Sequence, residues 1–226
     1  KYPLLLEFQQ ENETLKGLFV RMTYYIAKLE EKFEIPYIPT IGYNPEKFYK
    51  TSGYSTKVVK SAAMRWAARG GHIDIVQLML ERGANNFNQA MKYASKGGHI
   101  DIVQLMLDKG ANDFNEAMEW AAIGGHIDIV QLMLDKGAND DFEWTLIYAA
   151  KGGHIDIVQL MLDKGSNDFN LSMRFAAGGG HIDIVRLMLD RGADDFNGAI
   201  EIAARAGHKD IVQLMLDKGA NNFNQV

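Results

Sequence analysis

Ala121-Ala122-Ile123-Gly124-Gly125-His126-Ile127-Asp128-Ile129-Val130-Gln131-Leu132-Met133-Leu134-Asp135-Lys136-Gly137-Ala138-Asn139 decides the fold, because close copies of this stretch fill most of the chain. Gly-Gly-His, or Ala-Gly-His in the last copy, recurs at His72, His99, His126, His154, His181 and His208, at intervals of 27, 27, 28, 27 and 27 residues. The glycine after each Leu-Met-Leu segment keeps the same spacing, at Gly83, Gly110, Gly137, Gly165, Gly192 and Gly219. Six copies in register define a repeat architecture, in which each unit buries its apolar face only against its neighbours.

Each unit reads as two helices. In the third, Asn115 is placed to cap a first helix over 116–122, and Gly124-Gly125 breaks the chain. A second helix is expected over 127–136, with Asp128 and Lys136 at the ends where the helix dipole favours them. Gly137 then occupies the position that commonly turns left-handed. Ile129, Leu132 and Met133 fall at i, i+3, i+4, the stripe of a buried face. Ala117, Met118, Ala121 and Ala122 give the first helix a mostly small face that lets neighbouring helices approach closely.

The rest of the 226-residue chain differs in character. All four prolines and seven of nine tyrosines lie before residue 55, and all six histidines lie after residue 71. Residues 1–60 carry net charge +2 and the remainder −7. Leu15, Leu18, Met22, Tyr25, Leu29 and Phe33 alternate in steps of three and four, so an amphipathic helix is expected over about 4–33. It is read as a cap on the first repeat, with a coiled-coil seam, and hence an oligomer, as the competing reading. Closely spaced prolines at Pro36, Pro39 and Pro45 then favour an extended linker.

The quoted stretch resembles the ankyrin-repeat consensus Ala-Ala-x-x-Gly-His-x-x-Ile-Val-x-Leu-Leu-Leu-x-x-Gly-Ala-Asp, and the resemblance covers about residues 61–226. It implies an all-α, ankyrin-type helix-turn-helix repeat solenoid, preceded by the N-terminal helix and linker. The expected domains are 1–60 and 61–226, with six repeats and the start of a seventh. The period of 27 is shorter than the family's usual period of about 33. The missing residues fall where the family places its β-hairpin finger, so the repeat is similar to the short, fingerless ankyrin type of giant DNA viruses.

Chemistry finds little foothold. The chain has no cysteine, which removes disulfides, thiolate metal sites and thiol nucleophiles and fits a reducing intracellular compartment. His-x-Asp occurs six times, whereas a catalytic dyad belongs once in a unique pocket. The histidine is therefore read as a turn residue bonding local backbone. One histidine per repeat also cannot converge on one ion, because metal–nitrogen bonds are about 2 Å and adjacent helices lie about 8–10 Å apart. No enzyme, cofactor or metal site is expected. The acidic array disfavours nucleic acid, and no apolar run is long enough to span a membrane.

The resemblance implies protein binding, with first helices lining a concave groove. Across the copies the second helix is nearly invariant and the first varies at three positions on one face, ten, seven and three residues before the histidine. These supply the expected protein-binding residues: Trp144, Ile147, Ile123 and Leu171 as an apolar patch, and Arg65, Arg69, Lys92 and Lys96 as a basic flank. Glu119, Lys151 and Arg174 complete the set. The aromatics six before the histidine (Trp66, Tyr93, Trp120, Tyr148, Phe175) are assigned to the inter-repeat core. The fourth repeat is irregular, with an extra residue before Phe142 and Glu143 in place of an expected capping Asn. The partner is expected to present an apolar segment with an acidic flank, and the rival role is assembly through residues 1–60 or the array ends. Phe223-Asn224-Gln225-Val226 repeats the opening of a first helix, so a continuation is expected.

Overall fold

The computed structural model describes residues 56–139 and 142–220, with side chains from Lys60 onward. The N-terminal helix, the proline-rich linker, the extra residue of the fourth repeat and the start of a seventh repeat lie outside these residues. The described part from Lys60 onward falls within one compact unit, Lys60–Val226.

Every described element is a helix, and the helices alternate in length. The first helices are α1 (Thr56–Arg69), α3 (Phe87–Gly97), α5 (Phe114–Gly124), α7 (Phe142–Gly152), α9 (Phe169–Gly179) and α11 (Phe196–Ala206). The second helices are α2 (Ile73–Glu81), α4 (Ile100–Asp108), α6 (Ile127–Asp135), α8 (Ile155–Asp163), α10 (Ile182–Asp190) and α12 (Lys209–Asp217). Successive first helices pack closely on each other, whereas successive second helices barely touch. The cause is side-chain size: the first helices face one another through alanines such as Ala90, Ala94, Ala117 and Ala121, all fully buried.

The core between the layers is a methionine ladder. Met64, Met91, Met118 and Met173 point in from first helices, and Met79, Met106, Met133, Met161, Met188 and Met215 from second helices; all are at most 3% exposed. Ile102, Ile129 and Val130 fill between them, each at 0%. Burying one such side chain contributes about 1.5–3 kcal/mol, and a flexible thioether suits a core that must be rebuilt identically at each step.

The first-helix cap differs from expectation. Helix α5 begins at Phe114, and its N-cap is Asp113, whose side chain accepts from the Glu116 amide. Asp168 and Asp195 cap α9 and α11 in the same way. Asn115 lies inside the helix, and its Oδ1 accepts from the Asn139 amide of the next repeat at 3.0 Å. Asn88 and Asn170 do the same for Asn112 and Asp194. Glu143 is no defect at this position: its two carboxylate oxygens accept from the amides of Asn167 and Asp168. These side chains join one repeat to the next.

The Gly-Gly-His turn also joins repeats. His99 Nε2 lies 3.1 Å from the Arg69 carbonyl oxygen, and His126 Nε2 lies 3.2 Å from that of Lys96. His181 and His208 reach the carbonyls of Lys151 and Gly178. Each acceptor is one of the last carbonyls of the preceding first helix, which has no partner within its own helix. The histidine thus bonds across repeats and not locally. The ring needs room, and the glycines supply it: a Cβ on Gly71 would fall 2.5 Å from His99 Cε1, and one on Gly97 2.7 Å from its Cδ2. Gly71 also has φ +75°, where a Cβ is strained.

Candidate protein-binding face

The His clamp fixes the carbonyl of the residue three before each histidine of the preceding repeat. Two of those residues, Arg69 and Lys96, aim cationic side chains at the first-helix face, so the clamp holds part of the candidate site.

Trp144 is the most exposed of the large apolar side chains on the described surface, at 47%, and its ring lies 5.9 Å from that of Tyr148. Ile123, Leu171 and Tyr148 are half-buried. Ile147 departs from expectation: it is 2% exposed and belongs to the core with Thr145 and Leu146. The reason lies in side-chain length. At the same position Lys92 is only 15% exposed, so its stem is buried, and its ammonium ends on the neighbouring helix against Glu116 and Trp120. Arg65 and Arg174 likewise have a buried Nε without a hydrogen-bond partner. A charged residue survives there by reaching out, whereas isoleucine ends inside.

The aromatics also differ from their assignment. Trp66, Tyr93, Trp120, Tyr148 and Phe175 are half-buried, with part of each ring open to solvent. Trp66 and Tyr93 meet edge-on with centroids 5.4 Å apart, and Tyr93 and Trp120 are 5.1 Å apart. The cations lie on this ladder. Arg65 sits 5.2 Å from the Tyr93 centroid, and Arg69 5.7 Å from that of Trp66. Lys92 and Lys96 both approach Trp120, at 4.4 and 4.8 Å. Lys151 lies 5.8 Å from Phe175. Such contacts contribute about 0.5–1 kcal/mol at exposed sites. The signal in the sequence was the cation next to three of the five aromatics, Arg65 before Trp66, Lys92 before Tyr93 and Arg174 before Phe175.

Charge pairing is uneven along the face. Lys92 pairs with Glu116, and Arg174 Nε lies 3.7 Å from Asp195 Oδ2. Glu119 is half-buried beside Trp120, and Lys151 is exposed. Burial, and then the neighbouring Arg69 charge, hold the Lys96 ammonium below the ordinary lysine range.

Among the described residues no group of three or more His, Asp or Glu is placed to hold a metal. In four repeats the histidine Nε2 is already engaged with a carbonyl. No described helix is long and apolar enough to cross a membrane.

Helix pairs stacked through small residues, closed by a left-handed glycine and joined side to side are the build of an ankyrin array, and known proteins agree. The family model "Ankyrin repeats (3 copies)" matches residues 46–117, 112–173 and 167–225. The chain belongs to the ankyrin-repeat family. Among solved structures it is similar to the crystal structure of the human ASB11 ankyrin repeat domain, with a TM-score of 0.54 at 21% identity. The match covers 71% of this chain and 85% of that one, and it shows the fold. No curated protein matches. Ankyrin repeats are generally protein–protein interaction modules and typically not enzymes.

Proposed function

We propose that this chain is a protein-binding adaptor or scaffold that engages its partner through the exposed face of the first helices. The observation that carries this reading is Trp144. A tryptophan at 47% exposure, with its ring beside that of half-buried Tyr148 and with half-buried Leu171 at the same position of the next repeat, is nearly half open to solvent. Tryptophan is a favoured anchor of protein interfaces. Its counterparts in the other repeats are Ala62, Gln89, Glu116, Leu171 and Gly198, so the array builds without an aromatic there. The apolar patch fits an apolar segment of the partner, and Arg65, Arg69, Lys92 and Lys96 fit an acidic flank. The period of 27 and the Phe-Asn-x-Ala-Met phrasing support a narrower kinship with the short ankyrin-like proteins of giant DNA viruses.

The test replaces Trp144 with a photo-crosslinking residue, and Gln131 on the opposite layer with the same residue as a control. Crosslinking to one protein from Trp144 and not from Gln131 is the expected result. Equal crosslinking from both positions would remove the case for this face.

A further inference from the structure

Arg69 and Lys96 are neighbouring cations along the face, and neither has an ion pair among the described residues. Each carries its charge on a half-buried side chain beside an aromatic ring, 5.7 Å from Trp66 for Arg69 and 4.8 Å from Trp120 for Lys96. The backbone beneath each is held from the next repeat, by His99 at Arg69 and by His126 at Lys96. Arg65 and Lys92 lie on the flanks, and the Glu116 carboxylate is taken up by Lys92. Two like charges are thus held close together on a fixed frame. Burial first, and the Arg69 charge second, hold the Lys96 ammonium low, and an anion placed between the two cations would offset the second of these.

We propose that this cation–aromatic shelf receives the anionic side chain of a bound peptide whose apolar anchor rests against Trp144. The inference rests on the first-helix face being the binding face. The occupant is argued from charge complementarity: a cationic shelf across the first and second repeats and an apolar patch in the fourth. The two lie two to three repeats apart at the usual spacing of packed helices and two turns apart along the helix axis, about 19–32 Å in all. An extended chain covers that distance in about six to nine residues. The partner segment therefore carries an acidic group, carboxylate or phosphoryl, about six to nine positions from a large apolar residue. The aromatic ladder of Trp66, Tyr93 and Trp120 forms the floor along which the anionic end lies.

The experiment uses the whole chain and fluorescein-labelled glycine–serine peptides carrying two adjacent glutamates and a leucine two, seven or fourteen residues further on. Anisotropy reads binding. The seven-residue spacing is expected to bind tightest, and glutamine in place of both glutamates to weaken it at least tenfold. The double variant Arg69→Gln, Lys96→Gln is expected to lose the same factor with its thermal midpoint unchanged. Binding that strengthens with phosphoserine in place of glutamate and is displaced by inorganic phosphate identifies a phosphoryl source. Indifference to that exchange identifies carboxylate. Glutamate and glutamine peptides binding alike, or full binding by the double variant, would overturn the shelf. Trp144→Ala separates the two readings: if it changes nothing and leucine spacing is immaterial while the glutamate dependence stays, the shelf stands and the apolar patch falls.

Discussion

The two helix layers are made in equal number by the same repeat, yet they treat variation in opposite ways. The second helices repeat Ile-Asp-Ile-Val-Gln-Leu-Met-Leu almost without change. Their positions have fixed roles, with methionine in the core, Asp in the first turn, and an outward Gln that donates to Asp four residues on, as Gln104 does to Asp108 and Gln131 to Asp135. The first helices hold their alanines and methionines nearly constant and let ten, seven and three before the histidine drift through cations, acids and apolar residues. Stacking therefore needs only the inner faces to match. Composition on the remaining face is free to be shaped by whatever binds there.

Fully buried positions in either layer should therefore be costly to change, and the most exposed positions of the first layer nearly silent for stability. Met133→Ala should produce the largest loss, about 2–5 kcal/mol for a buried methionine truncated to a cavity, read by denaturant unfolding. Ile147→Ala sharpens the comparison, because its place in the variable face hides a core residue. It should also lose about 2–5 kcal/mol, and a stability close to that of the parent chain would return Ile147 to the surface.

The turn between the layers comes next. Gly125 has φ +80°, and a Cβ there would fall 2.5 Å from His154 Cε1. Gly125→Ala should cost about 1–2 kcal/mol for the left-handed backbone alone, with the displaced histidine adding to it. Hydrogen exchange at the junction of the third and fourth repeats would locate the loss. Asp113→Ala, which removes the cap of α5, should cost about 1 kcal/mol in the same unfolding assay. The smallest effect on stability belongs to Trp144→Ala, within about 0.5 kcal/mol, together with loss of partner crosslinking. A large drop in its thermal midpoint would place Trp144 among the structural residues and break the contrast between the layers.

Much of the fold was legible in the sequence for a physical reason. A linear array has only nearest-neighbour contacts, so period, helix order and breaking glycines are all local signals. The buried faces Ala117-Met118-Ala121-Ala122 and Ile129-Met133 followed from helical periodicity alone. The cap was misplaced by two residues because Asn115 and Asp113 are both good capping residues. Nothing local tells which of the two turns toward its own helix and which toward the next repeat.

The candidate site was less legible. Variation marked the face that carries Trp144, but it treated Ile147 and Trp144 as equals. Both are large and apolar on a helix face otherwise charged; one is buried and the other open. The histidines were recognised as structural, yet their bonds span thirty residues, to the carbonyls of Arg69, Lys96, Lys151 and Gly178. The aromatics were assigned to the core because the family buries leucine there; their rings are larger than that slot, so they emerge far enough to carry cations.

The sequence by itself determined the repeat, its two helices, its core face and the face that varies, because each is a matter of periodicity along one chain. Tertiary structure alone decided which side chains on that face meet solvent. Depth there depends on how closely the next repeat approaches and on how far a side chain reaches past it. The lysine at Lys92 reaches the Glu116 carboxylate of the next repeat, whereas the isoleucine at Ile147 ends in the core.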